Sequence, residues 1–313
     1  MGDFSFDKNV ENVVVIGSGP AGLTSAIYLG RAQKFPLVIT GTNYGGQLMG
    51  TYIVENFPGF EEGVMGPELM RKMEEQAKKF GARIFIGSVS RVDFSKKIKK
   101  VFVGEKEILS KSVIIATGAS PKRLGVEGEE EFWGKGISVC ATCDGALFKD
   151  KVVCVIGGGD AAMEESDFLT RFAKKVYLIH RRDSFRANPI GVERVLRNEK
   201  IEVLYNSEVK KFIGEKRLEK VLVFNNLEGR EREIEVEGAF LAVGHIPNSG
   251  IFKGKIDLLE SGFIKVFDQV KTSVEGVFAC GDVCNEKFRQ AIVACGSGAI
   301  AAIECEKYLS ENF

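Results

Sequence analysis

The sequence predicts an α/β fold made of two three-layer, doubly wound units, with the second unit inserted into the first. Two observations lead to this prediction. A pattern of buried strand, glycine-rich turn and helix occurs twice, and the segments after the second copy match a return of the chain to the first unit. The chain has 313 residues, which is more than a single hydrophobic core usually supports, so two domains are expected.

The repeated pattern has the same parts in the same order in both copies. A buried strand ends in a glycine-rich turn, the turn opens a helix, and a second strand follows. Since this arrangement forms the phosphate-binding half of a Rossmann-like unit, the duplication predicts two nucleotide-binding domains. In chain order, the strand, turn, helix and following strand are residues 13–16, 17–22, 23–32 and 37–39 in the first copy and residues 152–156, 157–162, 163–172 and 176–179 in the second.

The inserted domain is expected to span residues 122–249, which leaves residues 1–121 and 250–313 as the two parts of a discontinuous first domain. Residues 121–133 are rich in glycine and glutamate and are interpreted as a linker. The second break falls in residues 244–250, a stretch that contains glycine and proline.

Composition limits the kinds of partner and the location. The 43 basic and 43 acidic residues cancel, so a general nucleic-acid binder or a protein that binds anionic membranes is not expected. No stretch approaches the roughly 18 apolar residues that a membrane helix needs. The first residues include Asp3 and Asp7 and lack the apolar region of a signal peptide. A cytoplasmic location is therefore expected.

The first glycine turn predicts a dinucleotide site. Gly17 permits the tight turn, Gly19 lets a pyrophosphate approach the backbone, and Gly22 lets the helix pack on the strand. The phosphates are expected at the positive end of the helix dipole. Thr40 stands where an NAD site would carry an acidic residue, and the loop that follows is interpreted as specialised for a larger cofactor.

Two later segments, residues 114–118 and 272–282, resemble segments of flavoproteins of the pyridine nucleotide-disulfide oxidoreductase class. The resemblance implies FAD at the first site. The last helix is expected to direct its N-terminus at the flavin, where its dipole would stabilise negative charge. The residues expected to bind FAD are Gly17, Ser18, Gly19, Pro20, Ala21, Gly22, Thr40, Gly46, Gln47, Leu48, Asn56, Ala116, Thr117, Gly118, Gly281, Asp282, Arg289, Gln290 and Ala291.

The second glycine turn predicts an NADPH site. Its second strand ends in a basic cluster, where an NAD site would carry an acidic residue. Guanidinium groups bind phosphate through two hydrogen bonds at once, so the cluster suits the 2′-phosphate of NADPH; a solvated basic loop is the alternative. The residues expected to bind NADPH are Gly157, Gly159, Asp160, Ala161, Ala162, His180, Arg181, Arg182, Arg186 and Gly244.

A pair of cysteines, Cys140 and Cys143, precedes the second nucleotide unit in a C-x-x-C arrangement, which favours a redox dithiol. Two other interpretations stay open: an inert buried pair, and a structural zinc site, for which the sequence has no second pair at the right spacing. No metal is expected. Asp144 is expected to shuttle a proton during thiol–disulfide exchange or to cap a helix. A helix that begins at Asp144 would lower the thiol pKa values through its dipole.

The chain resembles the low-molecular-weight thioredoxin reductases over nearly its whole length, because five motifs appear in the order seen in that family. Two residue types depart from the family pattern: Ala161 stands where Ser or Thr is frequent, and Cys280 and Cys295 stand where Ala is usual. Extra thiols near a flavin could be sensitive to oxidation. The five motifs are Cys140–Asp144, the turn Gly157–Ala162, His180–Arg186, Gly244–Asn248 and Gly281–Asp282.

The resemblance implies an NADPH-dependent thioredoxin-disulfide reductase, in which electrons pass from NADPH through FAD to the cysteine pair and then to thioredoxin. By the same resemblance Cys143 would face the flavin, Cys140 would attack the partner disulfide, and Asp144 would act as acid and base. A homodimer is also implied. The five remaining cysteines are expected to be small buried side chains; they are Cys154, Cys280, Cys284, Cys295 and Cys305.

One rigid arrangement would hardly serve every contact that this reaction needs. The cysteine pair and the NADPH site lie on the same inserted domain, yet each must reach the same flavin, and the pair must also reach an outside protein. A rotation of that domain about its connections near Pro121 and Asn248 is therefore expected. Two alternatives stay open: the same flavoprotein fold reducing a glutaredoxin-like or peroxidase partner, and a nucleotide-sensing or scaffold protein without enzymatic activity.

Overall fold

The structure is a computed structural model that describes residues 10–51 and 53–313. The chain divides into two compact units, one formed by Met1–Ser120 with Ile246–Phe313 and the other by Pro121–His245. The boundaries predicted from the sequence, after residues 121 and 249, lie one residue and four residues further along the chain than those in the structure. Residues 1–9, on which the expectation about targeting rests, lie outside the described residues.

Strands and helices alternate along most of the chain. In chain order the strands are β1 (Glu11–Ile16), β2 (Leu37–Ile39), β3 (Arg83–Phe85), β4 (Arg91–Asp93), β5 (Lys99–Val103), β6 (Lys106–Ile115), β7 (Ala119–Pro121), β8 (Ile137–Ser138), β9 (Val152–Gly157), β10 (Lys175–Ile179), β11 (Ile201–Leu204), β12 (Ser207–Gly214), β13 (Leu218–Asn225), β14 (Arg230–Glu235), β15 (Gly238–Ala242), β16 (His245–Pro247) and β17 (Val277–Ala279). The α-helices are α1 (Pro20–Arg31), α2 (Gly66–Lys79), α3 (Glu129–Phe132), α4 (Ala141–Asp144), α5 (Asp160–Leu169), α6 (Pro189–Arg197) and α7 (Ala291–Asn312).

Within the described residues, the first unit is built on a seven-stranded sheet in the order β3-β2-β1-β6-β5-β4, with β17 also paired to β6. Strands β1, β2, β3, β6 and β17 are parallel, whereas β4 and β5 pair in the antiparallel sense. Leu23 of α1, Met70 of α2 and Leu309 of α7 lie in one core cluster. None of the helices in residues 10–51 and 53–313 has the length and apolar character needed to cross a membrane.

Strand β1 is buried on both faces, which explains its continuous run of β-branched residues. Val13 and Val15 pack with the helices α1, α2 and α7, whereas Val14 and Ile16 belong to the core cluster on the opposite face of the sheet. Successive strand residues point to opposite faces, so one short apolar run serves two cores. The parallel strands therefore form the middle layer of this unit.

The second unit repeats this organisation with a different outer layer. Its parallel sheet has the order β11-β10-β9-β15-β8, and a separate antiparallel sheet has the order β12-β13-β14. Cys154 of the central strand β9 packs in a cluster with Phe212 of the antiparallel sheet. Val153 packs on the other face with Met163 of α5 and Val195 of α6. The predicted α/β fold of two three-layer units is thus confirmed.

The segment predicted to be a linker is instead packed into the second unit. Phe132 of α3 is buried in the cluster beneath the antiparallel sheet. Glu129 is only 4% exposed, and its carboxylate accepts hydrogen bonds from the backbone N–H groups of Leu124, at 3.1 Å, and Gly125, at 2.7 Å. The linker interpretation was wrong because this glutamate satisfies backbone groups of its own loop and lets the segment be buried.

The two connections between the units pair with each other as strands β7 and β16. Asn248 holds them together on the side of the first unit. Its Nδ2 donates to the carbonyl oxygen of Thr117 at 2.9 Å, and its Oδ1 accepts from Oγ of Ser120 at 3.0 Å. Oγ1 of Thr117 donates in return to the carbonyl oxygen of Asn248 at 2.8 Å. The chain therefore leaves and re-enters the first unit through side-by-side segments.

The first glycine turn depends on two close approaches of backbone. Gly17 has a φ of 115°, and a Cβ at this residue would lie 2.2 Å from the carbonyl oxygen of Ala116. A Cβ at Gly22 would lie 2.0 Å from the carbonyl oxygen of Gly17. A Cβ at Gly19 would instead meet only Cα of Gly46, at 4.0 Å. The two outer glycines are required by packing, whereas the middle one borders open space.

We expect Gly22→Ala to lower the free energy of unfolding by about 3 kcal/mol or more, because the new methyl group would force α1 away from the turn. Urea denaturation followed by circular dichroism measures this change. Gly19→Ala is the matched control and should change stability by less than about 1 kcal/mol, since its methyl group enters open space. Equal destabilisation by the two substitutions would contradict the packing role of Gly22.

Candidate active site

Cys140 and Cys143 form a disulfide, with their Cα atoms 5.3 Å apart. Cys140 is the N-cap of α4, which begins at Ala141, and a short 3-10 helix follows from Gly145 with Asp144 at its N-cap position. The backbone N–H groups of Cys143 and Asp144 donate to the carbonyl oxygen of Cys140 at 3.2 Å and 3.1 Å. Cys140 is half-buried and Cys143 is exposed. The pair is therefore a dithiol/disulfide that solvent can reach, and not an inert buried pair.

Asp144 lies in the same turn but does not cap a helix through its side chain. Its Oδ2 accepts a hydrogen bond from Oγ of Ser138 at 2.5 Å. Burial raises the pKa of the Asp144 carboxyl above its ordinary value, and the hydrogen bond from Ser138 opposes that rise. A carboxyl that keeps its proton to a higher pH is better suited to proton transfer near neutral pH. No motif in the sequence marks Ser138.

Ser18 links the first glycine turn to the loop after β2. Its Oγ donates to the carbonyl oxygen of Thr40 at 3.1 Å and accepts from the backbone N–H of Gly45 at 2.9 Å. This places Gly46 beside Gly19, with a Cβ at Gly46 only 3.1 Å from Cα of Gly19. One buried hydroxyl thus brings together four residues predicted to lie at one cofactor site: Ser18, Gly19, Thr40 and Gly46.

The C-terminal segment approaches the same glycine turn. A Cβ at Gly281 would lie 2.8 Å from Cβ of Ala21, and the Gly281 N–H donates to Oγ of Ser297 in α7 at 2.9 Å. Asp282 follows in a short 3-10 turn, and burial raises the pKa of its carboxyl to about 6, an effect that the positive charge of Arg289 opposes. A largely buried carboxyl of this kind suits hydrogen bonds to hydroxyl groups of a bound ligand.

Other residues predicted for this site make contacts within the protein. Nε2 of Gln47 donates to the carbonyl oxygen of Ala119 at 2.5 Å, and Nδ2 of Asn56 donates to Oε1 of Gln290 at 3.1 Å. The hydroxyl of Thr117 bonds the backbone of Asn248. The remaining predicted residues surround these contacts: Pro20 and Ala21 open α1, Leu48 packs partly buried against the core cluster of the first unit, Ala116 and Gly118 flank Thr117, and Ala291 opens α7.

The second glycine turn differs from the first in what fills the space around it. A Cβ at Gly157 would lie 2.6 Å from the carbonyl oxygen of Ala242, which is backbone packing, whereas a Cβ at Gly159 would meet no atom within 4 Å. A Cβ at Gly158 would lie 2.1 Å from the ring of His180. The imidazole of His180 thus takes the place of a side chain at Gly158. The turn is open at Gly159 in the same way that the first turn is open at Gly19.

The predicted basic cluster separates into buried and exposed members. His180 is buried, its Nε2 lies 2.9 Å from the carbonyl oxygen of Ser184, and its ring stacks near Phe185. Arg181, Arg182 and Arg186 are exposed. The N–H of Arg186 donates to the carbonyl oxygen of Gly158 at 2.9 Å, which fixes this loop over the glycine turn. The three arginine side chains are therefore the members available to a phosphate group.

The other predicted residues of the second turn have clear positions. Asp160 opens α5, and its Oδ1 accepts from the backbone N–H of Asn188 at 2.7 Å. Ala162 is fully buried against Gly157, and Ala161 is exposed. Gly244 has a positive φ, and its carbonyl oxygen accepts from the N–H of Lys122 at 2.9 Å.

Four of the five cysteines outside the redox pair are buried, as expected, whereas Cys284 is half-buried. Burial raises the pKa of Cys280 well above its ordinary value, raises that of Cys284 to about 12 and raises that of Cys305 to about 12. Burial also raises the pKa of Cys154 and of Cys295. A protonated, buried thiol reacts slowly with oxidants, so the position of Cys280 and Cys295 does not make them redox centres.

Comparison with known proteins identifies the family. The family model described as pyridine nucleotide-disulphide oxidoreductase matches residues 11–298. A thioredoxin reductase of Mycolicibacterium smegmatis is 48% identical over 98% of this chain and 99% of its own. A bifunctional thioredoxin reductase/thioredoxin of Mycobacterium leprae is 45% identical over 98% of this chain and 68% of its own. The solved thioredoxin reductase of Giardia duodenalis superposes with a TM-score of 0.90, at 40% identity over 96% of this chain and 98% of its own.

These matches cover the glycine turns, the cysteine pair and the C-terminal segment described above. Members of such a family use a flavin and a pyridine nucleotide, and the two open turns fit a group of each kind. The chain belongs to the pyridine nucleotide-disulphide oxidoreductases and, within them, to the thioredoxin reductases.

Proposed function

We propose that this protein reduces the disulfide of thioredoxin with electrons from NADPH, by way of FAD and the Cys140–Cys143 pair. The observation that carries the proposal is the disulfide at the start of α4, within reach of solvent and followed by the partly buried carboxyl of Asp144. Exchange with an outside disulfide needs an accessible sulfur and a source of protons, and this turn has both. The Mycobacterium leprae relative, named as reductase and thioredoxin in one chain, supports thioredoxin as the partner.

We propose FAD for the first glycine turn and NADPH for the second. At the first turn, the open backbone at Gly19 accepts a pyrophosphate, and the Asp282 carboxyl accepts hydrogen bonds from ligand hydroxyls. At the second turn, Gly159 is open, and Arg181 and Arg182 are exposed in the loop after β10. When bound, the flavin supplies two-electron transfer between the nicotinamide and the disulfide.

The proposed exchange uses the chain's own groups in two steps. The thiolate of Cys140 attacks one sulfur of the partner disulfide, so a mixed disulfide forms, the partner S–S bond breaks, and the leaving thiolate takes a proton from Asp144. The thiolate of Cys143 then attacks Sγ of Cys140, which restores the Cys140–Cys143 bond and releases the second partner sulfur as a thiolate that takes a proton from water. Two electrons pass from the enzyme dithiol to the partner disulfide.

We further propose that the second unit rotates as a body about the two connections. The hydrogen bonds of Asn248 with Thr117 and Ser120 support this, because they hold the two crossings together on the side of the first unit. Rotation would then take place at the two boundaries between the units, at Ser120–Pro121 and His245–Ile246. A cytoplasmic location and a homodimer complete the proposal.

We expect purified protein with FAD to reduce thioredoxin when NADPH is added, with new thiols detected by a thiol-reactive dye. Cys140→Ser should abolish this reaction while NADPH still bleaches the flavin absorbance without oxygen, because only the step from enzyme to partner needs the Cys140 thiolate. Cys305→Ser, at a buried thiol, is the matched control and should keep normal turnover. Undiminished thioredoxin reduction by Cys140→Ser would refute the assignment.

The alternative partners are tested in the same assay, with a glutaredoxin-like protein or a peroxidase in place of thioredoxin. The proposal expects these proteins to be reduced at least about 100-fold less efficiently, a discrimination of about 3 kcal/mol. A preference for either of them over thioredoxin would change the substrate and leave the electron path in place.

We expect the double substitution Arg181→Ala/Arg182→Ala to raise KM for NADPH about 30-fold or more and to leave KM for NADH nearly unchanged, because only NADPH carries the 2′-phosphate. The control Arg230→Ala/Arg232→Ala removes two exposed arginines from β14 of the same unit and should leave both constants unchanged. Steady-state kinetics with each nucleotide provides the measurement. Equal losses for NADPH and NADH would remove the argument for NADPH.

A further inference from the structure

Ser138 is the last residue of strand β8, two positions before the first redox cysteine. It is 8% exposed, and β8 pairs in parallel with β15, which sets Ser138 opposite Phe240 in the register of the central sheet. Its hydroxyl makes two contacts. Oγ donates to Oδ2 of Asp144 at 2.5 Å and accepts from the backbone N–H of Cys140 at 3.1 Å. One hydroxyl thus joins a residue of the redox pair to the acid/base carboxyl.

We propose that Ser138 is a positioning residue that fixes the carboxyl of Asp144 beside the redox pair and favours its charged form. This inference rests on the proposed function, in which Asp144 supplies and recovers a proton during exchange. It adds a residue, held on a strand of the central sheet, that acts only through Asp144.

The direction of the hydrogen bond follows from counting hydrogens. A serine hydroxyl has one hydrogen and two lone pairs. The backbone N–H of Cys140 can only donate, so it occupies one lone pair of the Ser138 Oγ. The hydroxyl hydrogen of Ser138 is then free to donate to Oδ2 of Asp144. If Asp144 were protonated on Oδ2, it would have to donate to Oγ, and the hydroxyl hydrogen would lose this acceptor. The geometry therefore stabilises the carboxylate relative to the acid.

Two opposing influences act on the pKa of Asp144. Burial raises the pKa, and the Ser138 hydroxyl lowers it. The helix α5, which packs against this turn near Gly145 through Phe168 and Leu169, carries four carboxyl groups. The rise in the pKa of Asp144 comes from burial and not from these carboxyl groups, so the influence that Ser138 counteracts is burial. These carboxyl groups belong to Asp160, Glu164, Glu165 and Asp167.

Ser138 also links the proton affinity of Asp144 to the bonding state of Cys140. The N–H that holds its hydroxyl belongs to Cys140, the residue that would form the mixed disulfide. A displacement of the Cys140 backbone during exchange would release that lone pair and weaken the preference for the charged form of Asp144. Asp144 would then hold its proton more tightly while the Cys140 backbone is displaced, which suits the recovery of a proton by Asp144 after exchange.

The test is a double-mutant cycle of Ser138→Ala and Asp144→Asn, with thioredoxin reduction measured from pH 5 to 9, a range of about four units around neutrality. In wild type, the inflection in the pH profile of thioredoxin reduction that Asp144→Asn removes is the one assigned to Asp144. We expect Ser138→Ala to move this inflection to higher pH and to lower kcat about tenfold, as for the loss of one hydrogen bond to a charged group. In the Asp144→Asn background, Ser138→Ala should change kcat by less than about twofold.

An equal loss of kcat in both backgrounds, or an inflection that Ser138→Ala does not move, would overturn the proposal and leave Ser138 with a structural role. The isosteric pair Ser138→Thr and Ser138→Val gives the same test if the alanine variant fails to fold. Thr keeps a hydroxyl and suits a strand, so it should keep the wild-type inflection, whereas Val should shift the inflection as Ala does.

A cofactor-independent measurement separates this inference from the proposed function. The Cys140–Cys143 disulfide is reduced by dithiothreitol, and the new thiols are counted with a dye as a function of pH. The Asp144-dependent inflection in this rate should shift to higher pH in Ser138→Val and not in Ser138→Thr. If wild type failed to reduce thioredoxin but the Thr and Val variants still differed, the proposed function would fail and the role of Ser138 would stand. Identical profiles for the two variants would overturn the role of Ser138.

Discussion

A disulfide that forms the first turn of a short helix, beside a largely buried carboxyl, is the constraint on which the rest of the molecule depends. Thiol–disulfide exchange needs a sulfur that an outside protein can reach and a proton donor that is kept from free exchange with solvent. Those needs conflict, because exposure of the sulfur tends to expose the acid. Here Cys140, the residue proposed to attack the partner, is half-buried and Cys143 is exposed, while Ser138 at the end of β8 bonds the partly buried carboxyl of Asp144.

The two glycine turns share one backbone design. In each, backbone packing requires the first glycine, which is Gly17 or Gly157. The glycine two residues later, Gly19 or Gly159, borders open space. They differ in the residue that follows the second strand. The first unit uses Ser18 to bind Thr40 and Gly45 of that region, whereas the second unit packs His180 against Gly158 and leaves its arginines exposed. Under the proposed assignment of FAD and NADPH, the two sites would therefore differ most in the loop after the second strand.

Much of this organisation could be predicted from the sequence, because its signals are local. The strand of residues 13–16, the turn after it and the start of the last helix are set by short-range patterns, and the structure has them as β1, α1 and α7. Buried polar contacts could not be predicted in the same way. Glu129 in a segment rich in glycine and glutamate has the composition of a linker, and only its contacts with Leu124 and Gly125 show that it is packed.

The site shows the same division. The C-x-x-C motif and Asp144 are visible in the sequence, but Ser138 carries no signal of its own there, since an isolated serine before a motif is common. The sequence suggested a helix from Asp144 and Gly145, and the structure has a short 3-10 helix from Gly145, but α4 before it was missed because a single turn has too few residues to show a periodic pattern. The position of His180 also depended on a contact with Gly158, which lies 22 residues earlier in the chain.

The most direct test of the electron path is to count thiols after anaerobic addition of NADPH to protein that contains FAD, with no partner present. The proposed path predicts that about two thiols per chain become reactive toward a dye in native protein, as the disulfide accepts two electrons. Cys143→Ser should gain none. The path would be contradicted if NADPH bleached the flavin fully and the Cys140–Cys143 disulfide stayed intact.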